Sequence, residues 1–176
     1  YTTMGDTNWC QITMRIISDD YYFKFGLKDV LKIHGDDLND ITIATSYDMQ
    51  TIRLYKGISI NSNERLFFGD CLNTFVLSCQ LRNGLTPLRY SIYKLIAERK
   101  SVFLSPREIS VLGGLLKGES LTGLSRTSGL SPKTISAQKN SALKKLEVKN
   151  LQVLHKDISS FRELFYREQN KSWNDS

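Results

Sequence analysis

The chain has 176 residues, 40% of them hydrophobic, with 24 Lys/Arg against 18 Asp/Glu; this is enough to bury a core in one or two domains and is ordinary for a globular protein. No apolar run approaches the roughly 18 to 20 residues that cross a bilayer, and YTTMGDTNWC lacks the basic flank and apolar stretch of a signal peptide, so a soluble, cytoplasmic protein with no membrane partner is expected. Three cysteines and two histidines at unrelated spacings form no zinc-ligand pattern, and neither a metal nor a cofactor is expected.

In chain order, QITMRIISDD alternates Ile12, Met14 and Ile16 and ends in two carboxylates, which predicts a strand leading into an acidic loop. Phe23, Leu27, Val30 and Leu31 mark a helix face after it. ITIATSYDMQTIRLYKG reads as a further strand and a further helix ended by Gly57, ERLFFGD and NTFVLSCQL as two more strands, and TPLRYSIYKLIAER as a helix. This succession predicts an α/β layer domain with a largely parallel sheet over residues 10–100.

From residue 101 the chemistry changes. Residues 101–150 carry 8 Lys/Arg and 3 Asp/Glu, whereas residues 1–100 carry 12 and 11. So localised a basic block is the electrostatic footprint of a phosphate-bearing partner. Ser105, Pro106 and Glu108 form a capping box with proline at the first helical position, and Ile109, Leu112, Leu115 and Leu116 share one face, which predicts a helix over 106–117 ended by Gly118. Ser120 caps a short helix carrying Leu121 and Leu124, which Ser128-Gly129 ends. Leu130 stands in the turn, and Ser131-Pro132 opens a third helix that runs through Leu146.

That third helix holds four lysines and no carboxylate. Ile135, Ala142, Leu143 and Leu146 form its apolar side, while Lys133, Ser136, Ala137, Asn140 and Lys144 recur at i, i+3, i+4, i+7 and i+11 on the other. Lys133, Lys139, Lys144 and Lys145 suit phosphates, and Ser136, Ala137 and Asn140 suit base edges; Thr134 is counted with this face. The order helix, short helix, glycine turn and longer helix is that of a helix-turn-helix, which places its last helix in a major groove.

The segment from Leu104 to Leu154 resembles the LuxR/FixJ-type DNA-binding domain of bacterial transcription regulators. The resemblance rests on Leu104-Ser105-Pro106-Arg107-Glu108, Val111-Leu112, Gly118, Leu130-Ser131, Lys133-Thr134-Ile135, Lys145-Leu146, Val148 and Asn150. It implies a transcription regulator, not an enzyme, that binds double-stranded DNA as a homodimer or as a heterodimer with another regulator of the type. Gly123, Gln138 and Ser141 depart from the residues usual there, and the Thr-Ile-Ser-Ala-Gln-Lys run is most similar to the Rcs-type enterobacterial regulators. The alternative is an adaptor that binds DNA weakly alone.

After Asn150, Leu151, Leu154, Ile158, Phe161 and Phe165 recur with 3-4-3-4 spacing. This predicts a fourth helix over about 150–167 whose stripe packs on its own domain or pairs two chains. The four-helix helix-turn-helix domain is thus expected over 101–168, with a frayed tail over 169–176.

The first half resembles the receiver domain of response regulators. By that resemblance Asp19 and Asp20 would bind magnesium and Asp70 would accept the phosphoryl group. However, the hydroxyl candidate Ser78 lies only eight residues after Asp70, and no lysine occurs between Lys56 and Lys94. A degenerate, shortened receiver-like domain, an incomplete doubly wound sheet that does not accept phosphate, is therefore expected.

Overall fold

The computed structural model describes residues 15–30, 41–58, 66–84, 86, 89–90 and 104–174. The N-terminal half is a mixed α/β layer, and the C-terminal half is helical, as expected. The sheet contains β1 (Arg15–Ile17), β2 (Ile41–Thr45), β3 (Thr51–Lys56) and β4 (Phe75–Gln80), in spatial order β1-β2-β3-β4. Helix α1 (Tyr21–Val30) follows β1, and α2 (Phe68–Thr74) precedes β4.

The strand directions correct the sequence-based expectation. β1 and β2 are parallel, with Ile16 beside Ile43, but β2–β3 and β3–β4 are antiparallel, so the sheet is not doubly wound. Parallel neighbours need a crossover of a dozen or more residues, and Ser46–Gln50 between β2 and β3 is far too short. This turn is tied by Ser46 itself. Its N–H donates to the Thr51 carbonyl at 2.8 Å, and its hydroxyl oxygen accepts from the Thr51 N–H at 2.9 Å.

Two further expectations fail for local reasons. TIRLYK is the strand β3 rather than a helix. Its first five residues are all buried, so both faces are covered and the period-2 alternation that marks a half-exposed strand is erased. ERLFFGD was expected to be a strand, but Phe68–Thr74 is helical, with Asp70 in its first turn accepting from the Phe67 N–H at 2.9 Å. The helix expected in TPLRYSIYKLIAER lies almost wholly outside the described residues.

The remaining helices are α3 (Pro106–Leu116), α4 (Leu121–Ser128), α5 (Pro132–Lys145) and α6 (Leu151–Asn174). α6 continues to Asn174, where a frayed end was expected. One apolar cluster joins Ile17, Tyr55 and Phe75 of the sheet side to Leu112, Leu143, Leu154, Ile158, Phe161 and Phe165 of the helices. The Phe161 ring stacks on Tyr55 at a 4.7 Å centroid distance and 16° between planes. The stripe Leu154, Ile158, Phe161 and Phe165 is buried, at 1–3% exposure, which matches the alternative in which it packs on its own chain. These side chains are covered by their own chain, with only Leu151 left half-buried. Beside them, Arg53 of β3 and Asp157 of α6 form an ion pair at 2.8 Å with both side chains about 95% covered, 5% and 4% exposed. The other Asp157 oxygen accepts from the Tyr47 N–H at 2.8 Å.

A smaller cluster of Val111, Leu124 and Ile135, with Leu115, Leu121 and Leu130 against it, joins α3, α4 and α5. Gly114 permits the closest approach within it, since a Cβ there would stand 2.6 Å from Leu124 Cδ2. Alanine gains about 1 kcal/mol over glycine inside a helix, whereas forcing a side chain into a packed cluster costs about 1–3 kcal/mol. At Gly113 a Cβ meets nothing within 4 Å. In urea denaturation, Gly113→Ala is therefore expected to hold or gain stability and Gly114→Ala to fall below it by at least about 1 kcal/mol; equal midpoints would contradict the close approach.

Candidate nucleic-acid interface

Serine caps set the three helices of the candidate interface. Ser105 Oγ accepts from the Glu108 N–H at 3.2 Å, Ser120 Oγ from the Gly123 N–H at 3.0 Å, and Ser131 Oγ from the Thr134 N–H at 3.1 Å. Each satisfies one of the N–H groups that a helix start leaves unpaired. α4 ends because Gly129 turns into the left-handed region at φ 70°, where a side chain would be strained. The Ser125 hydroxyl then donates to the Leu130 carbonyl at 2.6 Å, and Leu130 packs into the small cluster. Together these contacts fix the turn between α4 and α5.

α5 presents the face that its spacing predicted. Ile135, Ala142, Leu143 and Leu146 are buried, and Lys133, Ala137, Asn140 and Lys144 are exposed. Ser136 and Lys139 are half-buried on the same outer side. Thr134 is engaged locally, its hydroxyl 2.8 Å from that of Ser131, so it serves the helix start.

Lys145 also has a partner within the domain: its Nζ lies 2.9 Å from Glu108 Oε2, with the lysine side chain 40% and the Glu108 side chain 4% exposed. The Ser141 hydroxyl donates to Glu108 Oε1 at 2.7 Å, and the Ser105 N–H donates to Oε2 at 2.7 Å. Burial pushes the Glu108 carboxyl up, but the Ser105 amide, Lys145 and Ser141 outweigh it and hold it below the usual carboxylate range. The stability from these contacts is present above the ordinary carboxylate pKa and is lost as pH falls through the lowered one. From sequence Glu108 read only as a cap. That Ser141 and Lys145 lie one turn apart on α5 was the available sign of a shared partner.

The three aspartates of the receiver resemblance are not gathered. Asp19 is exposed after β1; Asp20 caps α1, accepting from the Phe23 N–H at 3.0 Å; Asp70 caps α2. Among the described residues no three His, Cys, Asp or Glu side chains converge as a metal site would require. Nor is any helix among them long and apolar enough to cross a membrane.

Residues 102–156 match the family model for bacterial regulatory proteins of the luxR family. Compared with curated proteins and with solved structures, the chain gives no match in either. The matched stretch coincides with α3, α4, α5 and the start of α6. Residues 102–156 are a LuxR-family helix-turn-helix domain, which supports a DNA-binding transcription regulator.

Proposed function

We propose that α5 is the recognition helix, that Lys133, Lys139 and Lys144 neutralise phosphates, and that Ser136, Ala137 and Asn140 face base edges in a major groove. The observation that carries this is the outward face of α5: small and amide side chains flanked by lysines, without a carboxylate, on a helix braced from behind by α3 and α4. Regulation does not run through phosphoryl transfer to Asp70, whose carboxylate is engaged at a helix start. The buried α6 stripe packs within one chain, which favours a dimer on DNA built on another surface.

A second role, as adaptor or heterodimer partner of another regulator, draws on α1. Its Tyr21, Tyr22 and Phe25 are 72%, 86% and 66% exposed, and exposed aromatic groups of this kind mark interaction sites. Binding of the pure protein to a pool of random duplexes across a salt series separates the roles. A recovered sequence supports self-sufficient recognition, and retention without preference supports the adaptor. With a recovered site, Lys144→Ala is expected to lower the salt slope by about one unit for every sequence. Asn140→Ala is expected to cost about 1–3 kcal/mol at one base position. Equal weakening of all sequences by Asn140→Ala would remove Asn140 from base reading.

A further inference from the structure

We propose that Ser78 and Gln80, on β4, are positioning residues for α5: the N-terminal sheet grips the last turn of this helix and so sets the angle at which its outer face meets DNA. This rests on the reading of α5 as the recognition helix. The last carbonyls of a helix have no partner within it. Here the chain turns at Glu147, a non-glycine residue in the left-handed region at φ 54°. The Val148 N–H reaches back to the Leu143 carbonyl at 3.0 Å, and the Glu147 N–H to that of Lys144 at 3.1 Å. The Leu146 carbonyl is met from outside the helical half, by the Ser78 hydroxyl donating at 3.0 Å in a buried contact. Beside it, Gln80 Nε2 donates to the Glu147 carboxylate at 3.3 Å.

The two contacts share a geometry. Ser78 and Gln80 are two residues apart on one strand and so face the same side of the sheet. Ser78 also stands opposite Arg53 in the β3–β4 register, and Arg53 holds Asp157 of α6. A single rung of the sheet therefore holds the end of α5 and the second turn of α6. On its other flank, the last turn of α5 is held by Glu108 through Ser141 and Lys145. Base-edge hydrogen bonds require a reading helix held within about 0.5 Å and 10–20°, while lysines on long stems follow a phosphate through small tilts. Loosening the Ser78 contact should thus cost sequence discrimination and spare general attraction.

The test uses the full chain, with the duplex recovered from the random pool and an unrelated duplex of equal length. Ser78→Ala is expected to lower the ratio of specific to non-specific affinity on the order of tenfold, from a buried carbonyl left unpaired, with the salt slope unchanged. Ser78→Thr, which keeps the hydroxyl, should restore the ratio. Gln80→Ala, at a half-buried residue whose Nε2 also donates to Thr51 Oγ1 at 3.2 Å, should move it in the same direction by a smaller factor. Amide exchange at Glu147 and Val148 should accelerate in Ser78→Ala. An unchanged ratio in Ser78→Ala, or in Gln80→Ala should the first variant fail to fold, overturns the proposal and leaves the reading of α5 standing. Absence of any preferred sequence in the unsubstituted protein overturns that reading, and this proposal with it.

Discussion

Asp157→Ala is expected to lower the unfolding free energy by about 3–5 kcal/mol, the usual consequence of stranding one partner of a buried ion pair. The Arg53 guanidinium, on a residue only 4% exposed, would be left in the core without a counter-charge, and the Tyr47 N–H would lose its acceptor. Against a typical total of about 5–15 kcal/mol, this removes about a fifth or more of the folding free energy. Urea denaturation measures this directly. Arg53→Met combined with Asp157→Leu should recover most of the loss, because an apolar pair of similar volume avoids the cost of stripping water from two charges. A loss below about 1 kcal/mol for Asp157→Ala would mean that the pair behaves as a surface bridge.

Phe161→Ala should cost a similar amount, about 3–5 kcal/mol, as expected for an aromatic side chain removed from a packed core. The ring is 3% exposed and lies flat against Tyr55. The location of the loss is more informative than its size. Because the ring sits in a cluster with members from both halves, amide exchange should accelerate together in β3 and in α3. Acceleration confined to the helices would show that the two halves open independently.

The parts of this structure that could be read from sequence are those fixed by neighbours in the chain. Ser105-Pro106, Ser120 and Ser131-Pro132 cap the helices they precede, Gly129 makes the turn, and the outer face of α5 follows from spacing alone. Arg53 defeated the same approach. Its partner is 104 residues away, and nothing local to TIRLYK points to it. The α6 stripe shows a different limit: periodicity reveals that a face is covered, but the covering surface was the chain's own sheet. The ion pair of Lys145 with Glu108, which folds back from another helix, is invisible in the local pattern. Ser78, considered only as a receiver hydroxyl, acquired a role once β4 was seen to end beside α5.

The length of α6 has a consequence for modularity. The family match stops at residue 156, whereas the helix runs to Asn174, and Ile158, Phe161 and Phe165 lie in the part that the match leaves out. A graft of residues 102–156 onto a foreign domain would carry the outer face of α5 but sever the beam on which it is mounted. Exchange of N-terminal halves by recombination at that point would fail for mechanical reasons, and a viable chimera would have to inherit the sheet along with the helices.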